Sequence, residues 1–241
     1  RVTIGEALTC RYRPKKVDGL VILVGDSTAK SLSDGFITAA HNLRLEVIVF
    51  QQSGCPFQVS DSPFNQFCKT GNKRNNDVWS AIRILKPVAV IVSNLNYLYV
   101  RDIGLPDMPI GPTRVAWANE TQKVFTHLKD LEIKGLLVQT VPELTFDLRY
   151  NVTILKQHVI GEDRTVVDRD NKFLNEMETN AVMKILDNRS ILNLDRQICS
   201  SDLCSQVKDG KFMYEDSSHL SSVGSMVMAP DIEQALRLLI Q

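Results

Sequence analysis

Short apolar runs alternate with amphipathic segments along almost the whole chain, and this alternation restricts the fold more than any other feature. The first run, Gly19–Gly25, is apolar, rich in β-branched residues and bounded by glycines, which is typical of a buried parallel strand. Apolar side chains then recur at helical spacing over residues 27–43. Further strands are predicted at residues 45–50, 88–93, 134–141 and 190–194, and further helices at residues 76–85, 112–131, 173–186 and 221–240.

Such alternation predicts an α/β fold in which helices cover both faces of one parallel sheet. Five strands fit the flavodoxin-like order, so we predict a three-layer sandwich around a five-stranded parallel sheet. One large domain fits 241 residues as well as two small ones would. We predict a single domain over residues 19–241.

The two regions outside the strand–helix pattern are both polar. Residues 1–18 are basic and contain Pro14, which predicts a linker or arm. Residues 142–170 have weak periodicity and many charges, so we interpret them as an insertion or extended loop. The chain starts at Arg1 rather than Met and has no signal-peptide pattern, which suggests a mature or excised fragment.

Composition argues against several functional classes. The chain has 28 Lys+Arg and 28 Asp+Glu, and this zero formal net charge disfavours nucleic-acid binding, which usually needs a basic excess. The longest apolar runs, residues 20–24 and 88–92, are far shorter than the ~20 residues that span a bilayer. No Cys/His spacing resembles a zinc site and no phosphate-cradling glycine loop is present, so no metal or cofactor is expected.

Four of the five cysteines form two pairs that are close in sequence and flank polar loop segments. These spacings predict disulfides Cys55–Cys68 and Cys199–Cys204, which would suit an oxidising compartment. Five unpaired thiols in a cytosolic enzyme are the alternative. Cys10 has no assigned role.

A candidate nucleophile, Ser27, lies where the first predicted strand meets the first predicted helix. In an open α/β sheet ligands bind at this edge, and the free N–H groups of a helix N-terminus can hold an oxyanion. A simple capping role for Asp26 and Ser27 is the competing interpretation.

A candidate base and its orienting carboxylate lie in the loop before the last helix. Asp216 and His219 are three residues apart, so they can meet on one turn, as a serine nucleophile requires. An ordinary loop and cap role is the alternative. The other histidines are poorer bases because His41 and His127 lie in predicted helices and His158 lies in the irregular insertion.

Candidate oxyanion donors follow the second and third predicted strands. Gly54 can present a backbone N–H where a side chain would obstruct, and the amides of Asn94 or Asn96 can point N–H groups at the same oxyanion. Taken singly, Gly54 is well explained as an ordinary turn glycine, and Asn94 and Asn96 are better explained as loop residues. Together with Ser27, they all fall at the carboxyl ends of predicted strands, which converge on one rim of the sheet.

These motifs resemble the conserved blocks of the SGNH (GDSL-like) hydrolases. Gly25-Asp26-Ser27 resembles the block that supplies the nucleophile, and Asp216-x-x-His219-Leu220 resembles the block that supplies the other two triad members. Gly54 and Asn96 match the glycine and asparagine of the two oxyanion blocks. Asn94 stands where the family usually has glycine, which makes it a rival of Asn96 as the donor.

The flanking strings resemble a narrower group, the SGNH domains attached to bacterial multispanning membrane acyltransferases. They are Ser-Gly-Cys-Pro, Ile-Cys-x-x-x-x-Cys and Tyr-Glu-Asp-Ser-Ser-His-Leu-Ser-Ser-Val-Gly. This resemblance implies O-acetylation of an envelope glycan such as O-antigen or peptidoglycan, with the acyl donor delivered by an attached membrane domain. It also implies a periplasmic or extracellular location. The alternatives are a carbohydrate esterase that uses water as acceptor and a non-catalytic glycan-binding domain.

Overall fold

The structure is a computed structural model that describes residues 2–4, 7–70, 72–102, 109–144 and 161–241. The strands are β1 (Val2–Ile4), β2 (Ala7–Tyr12), β3 (Gly19–Gly25), β4 (Leu45–Gln51), β5 (Ala89–Ser93), β6 (Lys134–Val138), β7 (Gly161–Asp163), β8 (Ile191–Leu192), β9 (Leu203–Ser205), β10 (Val207–Lys208) and β11 (Lys211–Phe212). The α-helices are α1 (Ser27–Asn42), α2 (Lys73–Leu85), α3 (Ile110–Asp130), α4 (Arg164–Met183) and α5 (Ser222–Ile240).

The central sheet contains the five predicted parallel strands, which lie in the order β4-β3-β5-β6-β8. This is the flavodoxin-like order, in which the chain starts near the centre and reverses direction once. The predicted α/β class and parallel sheet are therefore confirmed. The two small sheets, β7-β9 and β10-β11, lie outside this core.

Two antiparallel strands extend the sheet beyond the prediction. β2 pairs with β4, with Thr9 opposite Phe50, and β1 pairs with β2 in turn. The linker or arm expected over residues 1–18 thus contains two strands that the sequence analysis did not predict. These strands were not predicted because, in the sequence, Arg11 resembles a solvated surface charge. In the structure its guanidinium forms an ion pair with the buried Glu46 of β4.

Most of the insertion predicted at residues 142–170 lies outside the described residues, since residues 145–160 are not among them. At its end the structure differs from the prediction. The helix expected over residues 173–186 is α4, which begins at Arg164 and follows directly on β7.

Apolar side chains of β3 alternate between two cores on opposite faces of the sheet. Val21 and Leu23 belong to the cluster that includes α1 and α5, and Ile22 and Val24 belong to the cluster that includes α2 and α3. Because both faces are covered, the strand can be apolar at every position, which is why its sequence reads as a continuous run. No helix in the described part of the chain is both long and apolar enough to span a membrane.

Both predicted disulfides, Cys55–Cys68 and Cys199–Cys204, are present in the structure. Cys10, on β2, is half-buried and has no disulfide partner within the described residues. The first bridge closes a separation of 13 residues between β4 and α2 and fixes the loop that follows β4.

We expect that replacing Cys55 and Cys68 together by alanine lowers the free energy of unfolding by about 2–4 kcal/mol, since the unfolded chain regains the entropy that the bridge removes. Urea denaturation under non-reducing conditions measures this. Cys10→Ala is the matched control and should change stability by less than about 1 kcal/mol. An unchanged unfolding midpoint in the double variant would contradict a stabilising role for this bridge.

Candidate active site

Ser27 is the first residue of α1 and follows directly on the turn that ends β3. Gly25 is required there, because a Cβ atom on it would lie 1.8 Å from the carbonyl oxygen of Ser93 on β5. Asp26 is the N-cap of α1, and its Oδ1 accepts the backbone N–H of Thr28 at 2.8 Å. The cap therefore bonds to Thr28 and not to the N–H of Ser27, which sits at the positive end of the helix.

The structure brings the three predicted triad residues into one hydrogen-bonded chain. Nε2 of His219 lies 2.7 Å from Oγ of Ser27, which is 192 residues away in sequence. Nδ1 of His219 lies 2.8 Å from Oδ2 of Asp216. An ionised carboxylate can only accept, so Nδ1 carries a proton and Nε2 is left with a lone pair toward the serine hydroxyl.

The carboxylate of Asp216 is held in its ionised form by its own loop. Burial by itself raises the pKa of Asp216, but the backbone N–H groups of Ser218 and His219 and the imidazole outweigh it and lower the pKa. Those two N–H groups donate to Oδ1 at 2.8 and 2.7 Å, which leaves Oδ2 to face the imidazole. The hydroxyl of Ser218 also lies 3.2 Å from both Asp216 and His219.

The loop that carries Asp216 and His219 is tied to the segment after β6. The hydroxyl of Tyr214 donates to the carbonyl oxygen of Pro142 at 2.7 Å, and the backbone N–H of Leu144 donates to Ser217 at 2.9 Å. These bonds hold the base over the carboxyl rim of the sheet, where Ser27 lies.

Gly54 lies in a tight turn beside the nucleophile. Its φ of +68° favours glycine, and a Cβ atom there would meet nothing within 4 Å, so its surroundings are open. The turn is closed by the N–H of Cys55 bonding to Gln52, whose own N–H reaches the carbonyl of Gly25 at 3.3 Å. The predicted oxyanion glycine is therefore placed next to the turn that carries Ser27.

The two candidate asparagines differ in how many amide hydrogens are already used. The side chain of Asn94 accepts from the N–H of Phe57 at 3.0 Å and donates to its carbonyl at 3.3 Å, so one amide hydrogen is not used by these bonds. Asn96 is fully buried and donates to both Asn175 and Glu178, at 3.0 and 2.7 Å. Asn96 would have to break one of these bonds to reach an oxyanion, so the geometry favours Asn94.

A buried network beneath the nucleophile was not found from the sequence. Oδ2 of Asp26 accepts the N–H of Leu95 and the hydroxyl of Tyr99, both at 2.8 Å. The buried guanidinium of Arg74 donates to the carbonyls of Gly25 and Phe50, and burial lowers its pKa to about 10. An arginine or tyrosine at such positions gives no sequence signal, because only the tertiary structure buries it.

A separate cavity of about 640 Å³ lies between α2 and α3, and it contains none of the triad residues. Its lining includes Trp79, Arg83, Lys123 and His127. Within the described ranges no group of three or more His, Cys, Asp or Glu side chains is placed to hold a metal ion.

Comparison with known proteins places these features in context. The model of the family described as "SGNH domain (fused to AT3 domains)" matches residues 3–234. A search among curated proteins finds no match.

Solved structures share the fold at low sequence identity. The periplasmic domain of a lipopolysaccharide acetyltransferase from Salmonella ser. Paratyphi A is 17% identical with a TM-score of 0.68, over 92% of this chain and 85% of that chain. The acetyl xylan esterase AlAXEase is 14% identical with a TM-score of 0.53, over 90% and 98%. Axe2, an acetylxylan esterase from Geobacillus stearothermophilus, is 13% identical with a TM-score of 0.50, over 92% and 95%.

Proposed function

Since the chain belongs to the family of SGNH domains that are fused to AT3 domains, we propose that it is an O-acetyltransferase domain. In this proposal an acetyl group passes through Ser27 to a hydroxyl of a bacterial envelope glycan, of the O-antigen or peptidoglycan type. The observation that carries the proposal is the unbroken hydrogen-bond chain from Ser27 through His219 to Asp216.

In the first half-reaction Oγ of Ser27 attacks the carbonyl carbon of the acetyl donor, and Nε2 of His219 takes the hydroxyl proton. The resulting imidazolium is stabilised by Asp216. The tetrahedral intermediate then expels the donor's leaving group, which receives the proton from Nε2. Ser27 is left as an acetyl ester and His219 is neutral again.

In the second half-reaction a sugar hydroxyl takes the place of the leaving group. Nε2 of His219 removes the proton of that hydroxyl as its oxygen attacks the ester carbonyl. Collapse of the second tetrahedral intermediate returns the proton to Oγ of Ser27 and releases the acetylated sugar. A bound sugar hydroxyl competes with water through its high effective concentration.

The negative oxygen of each intermediate needs preorganised donors. We assign this role to the backbone N–H groups of Ser27 and Gly54, assisted by the amide hydrogen of Asn94 that is not bonded to Phe57. The helix N-terminus at Ser27 adds its partial positive charge at the same place.

Fusion to AT3 domains, which the family description records, supports an attached membrane acyltransferase domain as the source of the acyl group. It supports a location on the periplasmic face of the membrane, and the two disulfides suit an oxidising compartment. The Salmonella structure described as a periplasmic domain of a lipopolysaccharide acetyltransferase shares this fold.

The chain should release p-nitrophenol slowly from p-nitrophenyl acetate alone, and its acetyl product should move to the glycan when a suitable acceptor is present. O-antigen polysaccharide and peptidoglycan fragments are incubated with the chain and this donor. Mass spectrometry then detects the acetylated glycan, and Ser27→Ala is the control for uncatalysed transfer.

Two results would replace the proposal. If hydrolysis is fast and no envelope glycan is ever acetylated, the chain is an esterase, an activity that the partly exposed side chain of His219 permits by admitting water. If Ser27→Ala matches the wild type in both reactions while the chain still binds a glycan, it is a non-catalytic glycan-binding domain.

A further inference from the structure

A buried carboxylate, Glu178 on α4, lies in the layer behind the candidate active site and has no part in the triad. Its side chain accepts three hydrogen bonds, from Nε1 of Trp117 at 2.6 Å, from Thr121 at 3.5 Å and from the amide of Asn96 at 2.7 Å. Trp117 and Thr121 belong to α3, so Glu178 joins two helices to the loop that follows β5.

Each oxygen of Glu178 faces a donor, so the surroundings match the ionised form. Oε1 faces the indole N–H of Trp117, which can only donate. Oε2 faces the amide of Asn96, whose orientation is fixed independently, because its other hydrogen goes to Oδ1 of Asn175. Asn175 is itself oriented by donating to the carbonyl of Thr140 at 3.0 Å. A proton on Oε2 would point an O–H donor at the N–H donor of Asn96. Because two donors cannot hydrogen-bond to each other, the bond between Glu178 and Asn96 would be lost.

Two paths lead from Glu178 to Asp26, the residue before the nucleophile. On the first, Asn96 adjoins Leu95, whose N–H donates to Asp26. On the second, the ring of Trp117 stacks on Tyr99 with centroids 5.2 Å apart, and the hydroxyl of Tyr99 donates to Asp26. The segment of residues 95–99 is thus held between two buried carboxylates.

We propose that Glu178 is a positioning residue for acyl transfer: its ionised carboxylate holds Asn96 and Trp117, and through them it holds Asp26 and the turn that carries Ser27. The proposal rests on the acyl chemistry proposed for Ser27. It requires that protonation of Glu178 loosens the nucleophile turn without touching His219.

The ionisation of Glu178 falls in an accessible pH range. Burial raises the pKa of Glu178, and the charge of Asp26 raises it as well, whereas the hydrogen bonds from Asn96, Trp117 and Thr121 lower it. The net result is a pKa of about 7. The groups that face Glu178 are Asn96 from the loop after β5 and Trp117 and Thr121 from α3. Asp26 is in turn faced by Tyr99 and Arg74.

Glu178→Gln imitates the protonated form, because its amide nitrogen must face either Trp117 or Asn96. Hydrolysis of p-nitrophenyl acetate is compared between wild type and variant from about pH 5.5 to about pH 8.5, and the ratio of their kcat/KM values cancels any pH dependence that the two enzymes share. At the alkaline end we expect kcat/KM of the wild type to be about ten times that of the variant, because the turn is displaced only in the variant there. The ratio should approach one at the acid end. Glu176→Gln, an exposed position on the same helix, should give a ratio near one throughout.

As the pH rises, kcat/KM of the wild type relative to Glu178→Gln should increase, whereas its relative free energy of unfolding should decrease. These opposite trends separate a positioning role from a merely structural one. The pKa of Glu178 in the folded state is raised above its ordinary value of 4.5, so the folded state binds more protons than the unfolded state between pH 4.5 and about pH 7. The wild type should therefore lose stability relative to Glu178→Gln as the pH rises through this window. A kcat/KM ratio that is constant with pH, or that falls as the pH rises, would overturn the proposal.

The indole N–H signals of Trp117 and Trp79 in nitrogen-15 NMR test the same network without activity. The Trp117 signal should shift with a midpoint near the pKa of Glu178 and stop shifting in Glu178→Gln. The Trp79 indole donates to the carbonyl of Gln58 at 3.0 Å and its ring lies 4.6 Å from that of His127, outside the Glu178 network. Its response to pH should therefore be the same in the wild type and in Glu178→Gln. A Trp117 signal that does not titrate would refute the role of Glu178, whereas absence of ester turnover with normal titration would refute only the acyl chemistry.

Discussion

Ser27→Ala is expected to abolish acyl turnover while the fold stays intact. Without Oγ no acetyl-enzyme can form, and His219 has no hydroxyl to deprotonate. Loss of a triad nucleophile should lower kcat on the order of 10⁶-fold, as in the best-studied serine enzyme. Release of p-nitrophenol from its acetate measures the rate, and circular dichroism and thermal unfolding report the fold.

The matched control is Ser33→Ala, a half-buried serine on the same helix whose hydroxyl donates to the carbonyl of Lys30 at 2.7 Å. This variant should keep its rate within about twofold, since the lost bond is local to the helix and involves none of the triad residues. If Ser27→Ala keeps most of the wild-type rate, Ser27 is not the nucleophile.

Asp216→Asn is expected to lower kcat by roughly 10⁴-fold, less than the loss of the nucleophile. The two backbone N–H groups that donate to Oδ1 of Asp216 require an oxygen at that position. The amide nitrogen of the asparagine must then face Nδ1 of His219 and donate to it. That bond selects the tautomer with the proton on Nε2, which cannot accept the proton of Ser27.

Asp209→Asn is the control for this change, since Asp209 is an exposed residue in the turn between β10 and β11. Its rate should equal that of the wild type. A loss of less than about tenfold in Asp216→Asn would show that His219 is oriented by another group, because enforcing the tautomer is worth far more than this.

The three triad candidates could be found from the sequence because they carry chemistry that few residue types provide. Ser27 begins a helix after an apolar strand, and Asp216 and His219 are close enough in sequence to meet on one loop. The alternation of strands and helices then places both segments on the same rim, although Ser27 and His219 are 192 residues apart in sequence. The disulfides were predictable for a similar reason, because both join cysteines near in sequence.

The first residues of the chain and the oxyanion asparagine were not predictable in the same way. β2 pairs with β4 and carries Arg11, which forms an ion pair with the buried Glu46 near the start of β4, and nothing in the sequence marks these two charges as partners. Asn96 matches a family pattern, yet whether its amide hydrogens are free depends on Asn175 and Glu178, about 80 residues further along the chain.

The sequence by itself determined the fold class, the parallel sheet and the identity of the three triad candidates, because apolar periodicity and reactive side chains are local properties of the chain. Only the tertiary structure decided which polar residues are buried and which donors remain unused. Burial of Arg74, Asp26 and Glu178 arises from packing between distant elements, and the hydrogen bonds that compensate it form only when those elements meet. The buried polar positions around the candidate nucleophile can therefore be recognised in the folded molecule but not in its sequence.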